Sequence, residues 1–97
     1  MIRHVILFKF QASASQQQRQ EALNRLTELG SKLPQVREWS TGFQVSQRDK
    51  AYDMALVSSF DSLDALEEFR NEPEHAKVRE FLLKVADWIV VDYELKE

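Results

Sequence analysis

The chain has 97 residues, 43% of them hydrophobic and 30% charged, with two glycines, two prolines and no cysteine. This composition excludes disorder and collagen-like repeats, and the lack of cysteine excludes a disulfide, a thiol nucleophile or a thiolate metal site. Thirteen basic against sixteen acidic side chains give a net charge of −3, without the basic excess that marks nucleic-acid binding.

Residues 1–50 carry eight basic and four acidic groups, and the remainder five and twelve. If both halves share one sheet, that asymmetry is a set of solvated faces. The length suits a single domain over 1–97. Such a small domain buries only roughly 60% of its chain surface, so pairing with another chain is expected to add burial. Met1 to Phe10 contain no long apolar run and read as neither a signal peptide nor a membrane span. A cytoplasmic location is the expectation.

Ile2 to Phe10 alternates as a strand, with Ile2, His4, Ile6, Phe8 and Phe10 on one face and Arg3, Val5, Leu7 and Lys9 on the other. Ser15 and Gln18 form a capping-box pattern, and Ala22, Leu23, Leu26, Leu29 and Leu33 recur at helical spacing, which predicts a helix over 16–32. Pro34 ends it, and Gly30 is expected to loosen its last turn. Strands are predicted over Val36–Val45 and Tyr52–Phe60, joined by a polar connection as a hairpin. Leu63, Leu66 and Phe69 mark a short helix after the caps Asp61 and Ser62. Asn71 is expected to cap a third helix, with Pro73 in its first turn, and Trp88–Leu95 is the last strand. This order predicts an α+β, ferredoxin-like βαββαβ sandwich with a four-stranded antiparallel sheet.

Helices on one side of such a sheet require one apolar face per strand. Here Val5 and Leu7 oppose Ile6 and Phe8, and Ile89, Val91 and Tyr93 oppose Trp88 and Val90. Each buried apolar side chain is worth about 1.5–3 kcal/mol, so the second face is expected to meet a second copy in a dimeric barrel. The alternative is that these side chains lie at twisted corners under their own loops.

His4 and His75 are the two histidines, the residue type whose unperturbed pKa lies near neutrality. Both fall near the helix-covered side of the sheet, where they are candidates for a general base and its partner in an apolar pocket. Taken singly, a strand histidine is more often a core side chain, and one at a helix start a surface residue. Ile6, Phe8, Phe10, Tyr52, Phe69, Phe81 and Trp88 are candidate pocket walls, though aromatics at these spacings are first of all core. No short spacing of His, Asp and Glu builds a metal site, and no metal or other cofactor is expected. Ser58 and Ser59 lack the glycine-flanked turn of a hydrolase nucleophile and read as sheet residues.

The runs Met1 to Phe10, Asp49 to Leu56 with Phe60 beyond, Pro73 to His75, and Val90 to Glu94 together resemble the stress-responsive α/β-barrel (Dabb) family over essentially the whole chain. The resemblance implies a ferredoxin-like protomer and a homodimeric barrel. It also implies that His4 and His75 match the catalytic pair of a plant polyketide cyclase in the family. Phe69 stands where that enzyme has a tyrosine, and Glu72 where many members have a histidine. The expected function is binding of a small hydrophobic or carbonyl ligand, with His75 as base and His4 as partner in a cofactor-independent cyclisation or isomerisation. The alternatives are a non-catalytic binding or stress-protective homodimer and, fitting these motifs less well, an antibiotic-biosynthesis-type monooxygenase.

Overall fold

The computed structural model describes residues 1–96. In chain order it contains β1 (Ile2–Phe10), α1 (Gln16–Lys32), β2 (Val36–Phe43), β3 (Met54–Phe60), α2 (Leu63–Arg70), α3 (Pro73–Val85) and β4 (Ala86–Glu94). The strands form one antiparallel sheet in the order β2-β3-β1-β4. This is the βαββαβ ferredoxin-like arrangement, with β1 paired on both sides.

Local chemistry sets most of the element ends. At the start of α1, the Ser15 hydroxyl accepts from the Gln18 amide at 3.1 Å while the Gln18 side chain accepts from the Ser15 amide at 2.9 Å, satisfying two donors that the helix cannot. Glu21–Arg25 and Glu28–Lys32 pairs staple its outer face, an arrangement that supports a helix modestly. Ser62 caps α2 through the Ala65 amide. Asn71 does not cap α3: its own amide closes the end of α2 by donating to the Glu67 and Glu68 carbonyls. Glu72 takes the cap position of α3 without a side-chain bond, and Pro73 fills the first helical position, where no amide hydrogen is needed.

Four strand limits differ from the sequence pattern, the smallest being the end of β4 at Glu94 and not Leu95. β2 stops at Phe43, leaving Val45 almost fully exposed. β3 starts at Met54 because Asp53 leaves the alternation: its carboxylate accepts from the Phe10 amide at 2.8 Å and its own amide donates to the Phe8 carbonyl. β4 starts two residues early, at Ala86, so that α3 passes into it without a connecting loop.

The inner face of the sheet carries Ile2, His4, Phe8, Met54, Leu56 and Phe60, all buried under the helices. Ala22, Leu26 and Leu29 of α1, Leu66 and Phe69 of α2, and Leu82 and Val85 of α3 close the core from above. Gly30 has a packing role and does not merely loosen α1. The Trp39 indole lies against it while its Nε1–H donates to the Leu26 carbonyl at 3.0 Å, and a β-carbon at Gly30 would overlap the ring.

Replacing a helical glycine by alanine ordinarily stabilises by about 1 kcal/mol. Here Gly30→Ala is expected to reverse that sign and destabilise by about 1–3 kcal/mol, as overpacked cores do. Urea denaturation measures it, and a variant as stable as the parent would contradict the close indole contact.

Candidate functional site

The register of the sheet brings distant residues into one row. Asp92 of β4 lies opposite His4 of β1, which lies opposite Ser58 of β3, which in turn lies opposite Trp39 of β2. All four are on the inner face. His4 is only 6% exposed, so its polar atoms need internal partners. The ring Nδ1–H donates to the Asp92 carboxylate, and the Ser58 hydroxyl donates to the His4 carbonyl at 3.3 Å. With Nδ1 held, Nε2 is the nitrogen free to meet a ligand.

Above this row lies a cavity of about 230 Å³. Its floor is His4, Ile6 and Phe8 of β1, Leu56 of β3, Trp39 of β2, and Trp88 and Val90 of β4. Leu26 and Leu29 of α1, Phe69 and Arg70 of α2, and His75, Val78, Arg79 and Leu82 of α3 form the roof and rim. On α3 the lining positions 75, 78, 79 and 82 recur at helical spacing, which turns them together toward the sheet. The volume lies below the roughly 300–1,000 Å³ of typical ligand pockets, which fits a small compound.

His75 stands in the first turn of α3 with its ring edge-on to Phe69, centroids 5.0 Å apart. Phe69 in turn touches Phe60, which meets the His4 ring at 6.2 Å. Burial holds the His75 pKa well below its ordinary value, at about 4, with the nearby charges of Arg70, His4 and Arg79 adding to the effect. His75 is therefore neutral at physiological pH, with a lone pair available. Among the described residues no group of three His, Asp, Glu or Cys side chains is placed to hold a metal ion.

Of the residues expected at the site, His4, Ile6, Phe8, Phe69, His75 and Trp88 line this cavity. Tyr52, Phe81 and Phe10 do not. Tyr52 precedes the start of β3 and is half exposed beneath the Lys9 ammonium, which belongs to the opposite face of β1. Phe81 is one position before Leu82 and so is turned about 100° away from the cavity, where it lies under the Arg25 guanidinium of α1 at 4.4 Å. Phe10 is buried at the far end of the core beneath Arg19. Sequence reasoning missed Asp92, Trp39, Arg70 and Arg79. The first becomes visible once β1 and β4 are paired in register.

The fold and site now place the chain among known proteins. It belongs to the Dabb family, the stress responsive A/B barrel domain, whose sequence profile matches residues 2–95. An uncharacterized protein of Streptomyces coelicolor is 30% identical over 96 residues, covering 97% of this chain and 99% of that one. A dimeric ferredoxin-like protein of unknown function from Thermobifida fusca superposes with a TM-score of 0.89 at 22% identity, covering 97% of this chain and 90% of the other. The hydroxynitrile lyase of Passiflora edulis superposes with a TM-score of 0.85, also at 22% identity, covering 99% and 94%.

Because the folded chain refuses a proton at His75 that the unfolded chain accepts between about pH 6.5 and about pH 4, this residue withdraws stability as pH falls through that window. Denaturant unfolding near pH 7 and near pH 5 is expected to show a smaller acid loss in His75→Gln than in the parent. Equal losses would show that His75 titrates normally.

Proposed function

We propose that the chain, acting as one domain over 1–97, forms a cytoplasmic homodimer that binds a small apolar carbonyl compound in the cavity. It then moves a proton on that compound without a cofactor, as cyclisation and isomerisation require. The observation that carries this reading is the pair of imidazoles lining one apolar cavity, His4 in its floor tied to Asp92 and His75 in its roof held neutral by burial.

In the proposed step a ring nitrogen of His75 takes the proton from the carbon beside the carbonyl. The C–H bonding pair becomes the C=C bond and the carbonyl π pair moves to the oxygen, giving an enolate. Asp92 fixes the His4 ring through Nδ1–H, and Nε2, when it carries a proton, donates to that oxygen and orients it. The basicity of His75 is low in the empty cavity, but negative charge developing on the substrate favours the protonated ring and raises it as the proton moves. A positioned base of this kind contributes roughly 10²–10⁴-fold. That the same protomer fold carries a hydroxynitrile lyase in Passiflora edulis supports a catalytic use of such a cavity. Phe69, which has no hydroxyl to offer as a further acid, favours the second reading, a binding protein without turnover.

Deuterium incorporation into a panel of small neutral diketones, followed by NMR, tests the base. Exchange at least about a hundredfold above buffer is expected, lost in His75→Gln and reduced in Asp92→Asn. Unchanged exchange in His75→Gln would sink the role of His75, and bound diketone without exchange would leave the binding protein.

The dimer follows from the outer face. Val91, Val5 and Val57 form one cross-strand row and Ile89, Leu7 and Ala55 the next, with Ile89 53% and Val91 61% exposed. A contiguous apolar surface of this kind marks an interface, and the related Thermobifida fusca protein is dimeric. The parent is expected to sediment as a dimer at micromolar concentration and Val91→Asp as a monomer. A monomeric parent would remove the second copy.

A further inference from the structure

The reading above leaves the charged rim of the cavity without a role. Arg70 ends α2 and Arg79 lies on α3 one turn beyond His75, and both border the cavity. Among the described residues neither makes an ion pair or a side-chain hydrogen bond. Most other arginines are engaged: Arg3 with Glu38, Arg25 with Glu21, Arg37 with Asp61, and Arg19 with the Ala14 and Gln11 carbonyls. Arg48, on the connection between β2 and β3, is the remaining exception.

Among the described residues no carboxylate lines the cavity. The acidic groups nearest the start of α3 are occupied elsewhere, Glu74 with Lys32 and Lys77 and Glu72 with the Gln35 amide. Asp92 is held by His4. An apolar chamber therefore opens onto two exposed guanidinium groups that no carboxylate pairs among the described residues, a rim whose charge favours an anion.

We propose that the ligand is a small apolar carboxylate, its hydrocarbon part in the cavity and its carboxylate between Arg70 and Arg79. The proposal rests on the same cavity as the proton-transfer reading and names the class of compound it takes. A planar guanidinium meets a carboxylate through two parallel N–H···O bonds. The small cavity volume limits the apolar part to about the size of one ring or a short chain. The anion also changes His75. The groups that bear on this imidazole are Arg70 from α2, Arg79 from α3 and His4 from β1, and each opposes its protonation. Glu72 and Glu74 of its own turn have the partners named above. A bound carboxylate offsets the two arginines and lets the ring take up a proton at higher pH.

Benzoate and benzamide have the same shape and differ in charge, so calorimetric titration of the parent with each isolates the rim. Benzoate is expected to bind at least about tenfold more tightly than benzamide near pH 7. Arg70→Gln and Arg79→Gln should each cut that preference severalfold, and the double variant should abolish it while leaving benzamide binding in place, which also reports an intact cavity. Histidine NMR should show benzoate, and not benzamide, raising the His75 titration midpoint by about one pH unit. Equal binding of the two probes, binding of neither, or a preference that survives in the double variant would overturn the carboxylate site. The neutral diketone assay reads the histidine pair and not the arginines, so its failure and the failure of this site are separate results.

Discussion

The pairing of β1 with β4 is the constraint on which the site depends. β1 is one of the two central strands, and its register with β4 is continuous from Ile2 opposite Glu94 to Phe10 opposite Ala86. One residue of slip would turn every β4 side chain to the other face. Asp92 would then point outward, and His4 would be left buried with its Nδ1–H unsatisfied, which costs about 1–3 kcal/mol for a buried polar group. The same slip would carry Ile89 and Val91 off the outer surface, so the site and the apolar outer face share one register.

The two imidazoles reach the cavity from different kinds of backbone and acquire different chemistry. His4 is part of a strand and is fixed by a carboxylate on the next one. His75 is near the beginning of a helix, among apolar side chains and cations, and burial keeps it uncharged. Its placement depends on a local device: Asn71 closes α2, and Pro73 starts α3 two residues later with no amide hydrogen to satisfy. The break between the helices thus sets the roof of the cavity, and Phe69 on one side of it touches His75 on the other.

Much of this was legible in the residues. The limits of β1 and α1 follow from strict alternation and from a capping box, and the doubly apolar strands foretold the exposed Leu7, Ile89 and Val91 of the outer face. What escaped has physical causes. Asp92 is 88 residues from His4, and no local pattern reports a pairing across that span. Tyr52 looked like the first residue of a strand because Asp53 continues the alternation in sequence while spending its side chain on the Phe10 amide. Phe81 belongs to an apolar stripe, but a stripe identifies a face without saying whether a given ring turns toward the sheet or toward α1. Arg70 and Arg79 are exposed, and helical spacing alone does not reveal the hollow they border.

Val85 and Ala86 join α3 to β4 with no intervening loop, and the Val85 carbonyl is further tethered by the Gln11 amide at 2.8 Å. The helix that roofs the chamber and the edge strand that bears Ile89 and Val91 are thus set by one shared joint, and the angle between them is fixed where β1 ends.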